Sequence, residues 1–334
     1  MGDAILSTVT LNTLRQNFPD AKIHFVLNEQ IAPLFQGHPS IDRIITFSND
    51  ERHHTFTYIR KVWRIVHEVK YDIIIDMRST TNTMLFALLS PTTPFRIGIK
   101  KPYTSWIFNC PVVRQRHESM IIQNLALIKP LECLKPISYT HHFDLHITTD
   151  ELNAYHQYLE QCGIDFQRPI MLIGVTAKLA SKVWPENYMI TVLRHILDTC
   201  PKMQLIFNYA PGQEEQNARR IHAALNNDPR ILIDVKAKSA RELYALASFV
   251  TLYFGNEGGA RHIVHAAGKP SFVICAPSSN KKVWLPQNNV PARGIAISDI
   301  YTPAEIAQLS YSQQYEAITP DRVWQDLQQF INEL

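Results

Sequence analysis

The chain is predicted to be an α/β protein with parallel sheets, because helical and strand-like stretches alternate along it. Short apolar runs such as 22–27 (KIHFVL), 71–76 (YDIIID) and 170–175 read as buried strands. The stretches between them carry apolar residues at helical spacing. A length of 334 residues suits two domains of ordinary size, each with its own core.

In the first half, residues 4–17 place Ile5, Val9, Leu11 and Leu14 near helical spacing and end before Phe18-Pro19-Asp20. Strand 22–27, helix 31–36, strand 43–47, helix 55–68 and strand 71–76 follow, then helix 80–89, strand 95–98 and helix 117–128. In the second half, helix 149–161 leads through Gly163 and Pro169 to strand 170–175. Helix 186–199 precedes strand 204–208, helix 213–226 precedes strand 231–234, and helix 239–247 precedes strand 249–254. Helix 260–267 and strand 271–275 complete the series. Residues 320–334 form one amphipathic helix with Val323, Leu327, Phe330 and Ile331 on one side. The boundary falls near 145–168, giving domains at 1–150 and 165–315 and a terminal helix at 318–334. Doubly wound domains bind ligands at the carboxyl ends of their strands, and a ligand bridging the two is expected.

Hydrophobic residues make up 46% and charged residues 19%, a balance of globular rather than disordered chains. No run approaches the roughly 18 apolar residues of a membrane span. The opening residues lack a basic stretch followed by an apolar run, so a cytoplasmic location is expected. Cys110, Cys133, Cys162, Cys200 and Cys275 form no C-x-x-C pair and no metal spacing with His, which predicts reduced thiols and no metal. A net charge of +3 is too weak to argue for nucleic acid. The charge is uneven, however. Arg52, His53, His54, Arg60, Lys61 and Arg64 form one basic cluster, and Arg96, Lys100, Lys101, Arg114 and Arg116 another. Both lie in the first half, the expected host of an anionic partner.

Three segments carry chemistry. In 254–270 (FGNEGGARHIVHAAGKP) a glycine-rich loop joins a buried strand to a helix. It is either a tight turn or a diphosphate cradle in which backbone N–H groups and the helix N-terminus meet the anion, with Glu257 free to accept from hydroxyls. In 176–185 (TAKLASKVWP), Thr176 and Ser181 offer hydroxyls. Lys182 there is either a solvated lysine, the reading local physics prefers, or the cation that neutralises a leaving diphosphate. Asp3 at the start of the first helix is either an ordinary cap, again the locally preferred reading, or a general base.

Taken in order, these segments resemble glycosyltransferase family 9, the ADP-heptose:lipopolysaccharide heptosyltransferases. The similarity lies in Gly2-Asp3, in the K-x-W-P at Lys182–Pro185, and in the block Gly255, Asn256, Glu257, Gly259, His262 and Ala266. Gly212 with Glu215, and His117 with Asn124, also look like the family. The resemblance implies two Rossmann-like domains facing a cleft (GT-B type), with the terminal helix packing back on the first. It implies inverting, metal-independent transfer with an ADP-sugar donor and no cofactor. Asp3 would then be the general base, and Lys182 would hold the donor diphosphate. Thr176, Ser181, Asn256, Glu257, Gly258, Gly259, Arg261 and His262 would complete the donor site. The implied acceptor is the lipid A–Kdo or heptose core. Arg60, Arg64, Arg78, Arg96 and Lys100 are candidates to meet it, chosen by charge and position. Such a lipid acceptor suggests peripheral contact with the cytoplasmic face of the inner membrane.

The chain departs from the family pattern in three places. Glu257 stands where Asp is usual. Arg261 and the run Ser278–Lys282 add positive charge near the loop. A first strand of the type K-I-L-I-I-R, central in the family's N-terminal sheet, is absent, so unpaired neighbouring strands are expected; a true start one strand's length upstream is the favoured explanation, a truncated paralogue the other. Other functions compatible with the motifs are a related transferase using another nucleotide sugar, or a non-catalytic nucleotide-sugar binder. No G-x-G-x-x-G follows an early strand, which disfavours a dinucleotide-dependent oxidoreductase.

Overall fold

In the computed structural model, which describes residues 1–334, the opening helical stretch breaks at Ser7 into α1 (Gly2–Leu6) and α2 (Thr8–Asn17). The hydroxyls of Ser7 and Thr8 donate back to the carbonyls of Ala4 and Ile5, and such bonds compete with the helical ladder. Next come β1 (His24–Asn28), β2 (Arg43–Phe47), α3 (Asn49–His53) and α4 (Thr55–Glu68). After them follow β3 (Ile73–Asp76), α5 (Thr81–Leu88), β4 (Phe95–Ile99), β5 (Cys110–Val112) and α6 (Met120–Ala126). These elements belong to a unit spanning Asp3–His146. Helix α4 buries Tyr58, Val62, Ile65 and Val66, spaced for one face, against Ile45 and Phe47 of β2. Burying each such side chain contributes about 1.5–3 kcal/mol.

The first unit holds two parallel sheets instead of one. β1 pairs only with β2, and β3–β4–β5 form the other sheet. β1 and β3 are not hydrogen-bonded to one another. His24 of β1 and Tyr71, just before β3, link the two sheets through a 2.8 Å hydrogen bond. Strand β5 escapes the sequence pattern because Pro111 interrupts its short run. The helix expected at 31–36 is a single 3₁₀ turn at 32–35.

The second unit, Ile147–Leu334, contains α7 (Thr149–Gln161), β6 (Ile170–Gly174), α8 (Glu186–Thr199), β7 (Gln204–Phe207) and α9 (Gln213–Ala224). It continues through α10 (Ala240–Phe249), β8 (Leu252–Asn256), α11 (Gly259–Ala266), β9 (Ser271–Ile274), α12 (Lys281–Trp284) and β10 (Ala292–Ile295). Short helices α13 (Pro303–Ile306) and α14 (Tyr311–Glu316) precede α15 (Pro320–Glu333). Its sheet is parallel throughout, in the order β10-β9-β8-β6-β7. β6 and β8 are buried along their whole length, which is why they read as apolar runs.

Two expectations need correction here. Residues 231–234 do not form a strand: Ile231 makes one parallel bridge to Leu205, and the chain then turns, Val235 N–H bonding Leu232 C=O. The terminal helix was expected against the first domain. Its apolar stripe, Val323, Leu327 and Phe330, is instead buried in the second unit's own core, with α8 and β9 as its neighbours.

Candidate functional site

Strand order fixes where a ligand site belongs in the second unit. From β6 the chain passes to β7 on one side, whereas β8 lies on the other side of β6. The loops leaving the carboxyl ends of β6 and β8 therefore diverge at a topological switch point, where doubly wound sheets bind ligands. Those loops are 175–185 and 257–258, the segments singled out from the sequence.

Glycines bring the two strands together. Gly255 has φ +138°, and a Cβ there would lie 2.5 Å from the Gly174 carbonyl oxygen. A Cβ on Gly174 would lie 1.9 Å from the Tyr253 hydroxyl, which donates to the Asn256 carbonyl at 2.6 Å. Asn256, expected to touch a donor, is instead a clamp between loops. Its amide donates to the carbonyls of Gly174 and Val175, at 3.0 and 3.2 Å, and its side-chain oxygen accepts from Trp184 N–H at 2.9 Å. Trp184 is buried, and its indole N–H donates to the Ile318 carbonyl. The Trp of the K-x-W-P run thus anchors the loop that presents Lys182.

Lys182 Nζ meets Glu257 Oε1 at 2.9 Å, across 75 residues of sequence. Glu257 is 8% exposed, and its Oε2 has no hydrogen-bond partner. Helix α11 begins directly after Gly258, and no side chain caps it, so its first N–H groups are available to an anion. Gly258 is extended, and no atom lies within 4 Å of a Cβ placed on it, so the space beside the helix start is open.

Arg261 and His262 follow in the first turn of α11, both buried. Arg261 is 1% exposed; its Nη2 donates to the Trp284 carbonyl at 2.8 Å and lies 3.1 Å from the His262 ring. Its Nε and Nη1 have no partner. Burial, and then the neighbouring Arg261 charge, hold His262 far below the ordinary imidazole range, so its ring is neutral. Thr176 donates to Glu214 Oε2 at 2.9 Å. Glu214 escaped the sequence reading, which pointed to its neighbour; Glu215 is held by Arg219 and Lys236. The available signal was its place in the first turn of α9, after Gly212. The Ser181 side chain is exposed, and its carbonyl accepts from Tyr311.

Residues of the first unit differ in how free they are. Asp3 is exposed in the first turn of α1, and its side chain makes no capping bond, contrary to the locally preferred reading. Arg60, Arg64, Arg78 and Lys100 are exposed. Arg96 is not available as expected: its guanidinium is tied to the carbonyls of Ile107, Pro91 and Thr93.

The ion pair has a measurable consequence. Lys182→Ala leaves the Glu257 carboxylate buried without a counter-charge, and stability should fall by about 1–3 kcal/mol. Equilibrium unfolding checks this. Pairing the substitution with Glu257→Gln should recover part of the loss.

The sequence profile of glycosyltransferase family 9 (heptosyltransferase) matches residues 59–297. Lipopolysaccharide heptosyltransferase 3 of Escherichia coli K12 is 24% identical over 304 residues, 85% of this chain and 82% of that protein. The glycosyl transferase family 9 structure from Veillonella parvula DSM 2008 superposes with a TM-score of 0.81 at 16% identity, covering 100% of this chain and 95% of that one. The Escherichia coli ADP-heptose lps heptosyltransferase II gives 0.72 at 18% identity, covering 99% and 96%.

Proposed function

The chain belongs to glycosyltransferase family 9, the heptosyltransferases, and from that premise we propose that it transfers heptose from ADP-L-glycero-D-manno-heptose to the inner core of lipopolysaccharide, with inversion and without a metal. The observation that carries this reading is the Lys182–Glu257 pair at the β6/β8 switch point, beside the uncapped start of α11. A nucleoside diphosphate fits there by charge: backbone N–H groups and the Lys182 ammonium meet phosphate oxygens, and Glu257 accepts from sugar or ribose hydroxyls. Thr176 and Glu214 add a hydroxyl and a carboxylate at the same sheet edge.

In this reading Asp3 takes the proton of the acceptor hydroxyl as its oxygen attacks the anomeric carbon. The bond from that carbon to the diphosphate oxygen breaks, and ADP leaves with the electron pair. One displacement from the opposite face inverts the anomeric centre. Lys182 and the α11 N–H groups stabilise the charge growing on the leaving diphosphate, which removes the need for a metal there. The acceptor is a phosphorylated sugar on a lipid, which suits the exposed Arg60, Arg64, Arg78 and Lys100 of the first unit.

A different nucleotide sugar is the second reading, and two observations favour it. Arg261, in the first turn of α11, keeps two unpartnered nitrogens, and Glu257 carries one methylene more than the family's usual Asp. A melting screen separates the two. ADP and ADP-heptose at a hundredfold excess over the dissociation constant should stabilise by ~2.7 kcal/mol and raise the transition by about 5 °C. UDP- and GDP-sugars should leave it unmoved; stabilisation by one of these alone would replace the donor.

A further inference from the structure

Tyr315 is a buried polar residue that neither the sequence motifs nor the donor reading uses. It lies in α14, and this helix and the residues after it are tied to the loops of the site at three points. The Tyr311 hydroxyl donates to the Ser181 carbonyl at 2.6 Å and lies 3.3 Å from the Ser278 hydroxyl. Just past the helix, the Ile318 carbonyl accepts from the Trp184 indole at 3.0 Å. Helix α14 therefore stands beside the loop after β6, which presents Lys182, and beside the loop after β9. The Tyr311 and Tyr315 rings meet edge to face, with centroids 5.9 Å apart. Tyr315 is 5% exposed, and its hydroxyl has no hydrogen-bond partner.

Leaving a buried hydroxyl unpaired costs stability, and a ligand group that pairs with it removes that cost. Glu257 Oε2 is buried and unpaired as well. Burial, and then the charges of Tyr311 and Glu257, push the Tyr315 hydroxyl above its ordinary range, so it keeps its proton and can donate. One orphan donates and the other accepts. An alcohol answers both, since its oxygen accepts from the tyrosine while its own proton goes to the carboxylate. Lys182, in the donor reading, meets the phosphate that leaves, and Glu257 touches Lys182, so the free carboxylate oxygen lies toward the departing sugar. We propose that Tyr315 is a specificity-determining residue which, together with Glu257, reads one hydroxyl of the transferred sugar. This inference rests on the donor reading given above. It adds a selection step: a donor whose sugar lacks that hydroxyl leaves two buried groups unpaired and binds about tenfold or more weakly.

Titration calorimetry of Tyr315→Phe with ADP and with ADP-heptose tests it. The substitution removes the hydroxyl oxygen and keeps the ring. ADP, which carries no transferred sugar, should bind within about twofold of its wild-type affinity. ADP-heptose should bind about tenfold or more weakly, and its KM should rise more than kcat falls. The melting temperature without ligand should equal or exceed that of the wild type, because an unpaired buried hydroxyl is gone. Combined with Glu257→Gln, the losses in ADP-heptose affinity should not add, since both residues act on one hydroxyl. Unchanged ADP-heptose affinity, a parallel loss for ADP, additive losses or a lower melting temperature would each overturn the proposal. A wild type that binds no ADP-heptose would instead remove the donor reading, and this inference with it.

Discussion

Asp3→Asn is expected to lower turnover about 100-fold or more while leaving ADP affinity at its wild-type value. Asparagine keeps the size and polarity of the side chain but cannot accept the acceptor's proton. The exchange should cost little in stability, within about 0.5 kcal/mol, because Asp3 is exposed and caps nothing. Asp3 belongs to the first unit and the Lys182–Glu257 pair to the second, so the substitution separates proton removal from donor capture. Steady-state turnover with ADP-heptose and a lipid A–Kdo acceptor, beside an ADP titration, reads both. Wild-type turnover would remove Asp3 from the mechanism, and would make a nucleotide-sugar binder without this base the better description.

Gly255→Ala should be the most damaging single methyl in the second unit. The added carbon would lie 2.5, 2.7 and 2.8 Å from the oxygen, nitrogen and carbon of Gly174, all backbone of a neighbouring central strand. Those atoms cannot swing aside as a side chain can, and φ +138° is a conformation alanine rarely adopts. A loss of about 3 kcal/mol or more is expected, read by denaturant unfolding. Gly258→Ala, two positions beyond the strand, is the matched control. Its backbone is extended and its surroundings are open, so its stability should stay within about 0.5 kcal/mol of wild type. Equal melting of the two variants would contradict the close approach of β6 and β8.

Much of the fold is legible because parallel strands buried on both faces leave an apolar signature. β6 and β8 are plain for that reason, whereas β10 is hidden by Arg293 and Gly294 at its centre. The site is legible in part. Lys182 and Glu257 are chemically conspicuous, but only the adjacency of β6 and β8 brings them to 2.9 Å. Asn256 and Arg96 mislead for a shared reason: a polar residue in a motif or a basic cluster reads as a ligand contact until its partners are known. Asn256 spends its amide on Gly174 and Val175, and Arg96 spends its guanidinium on three carbonyls. Glu214 and Glu215 are adjacent in sequence, and the helix turn alone decides which reaches Thr176.

The divided sheet of the first unit matters to anyone who handles this protein in a tube. β1 and β3 each pair on one side only, and Val26 of β1 is 38% exposed. Open strand edges are adhesive toward any extended segment of suitable register, including the same strand of a neighbouring molecule. Residues 1–334 on their own are therefore expected to associate edge to edge along this seam, read by sedimentation velocity against concentration. A short β-branched peptide supplied in trans is the additive to try against it, by occupying the seam before a second molecule does.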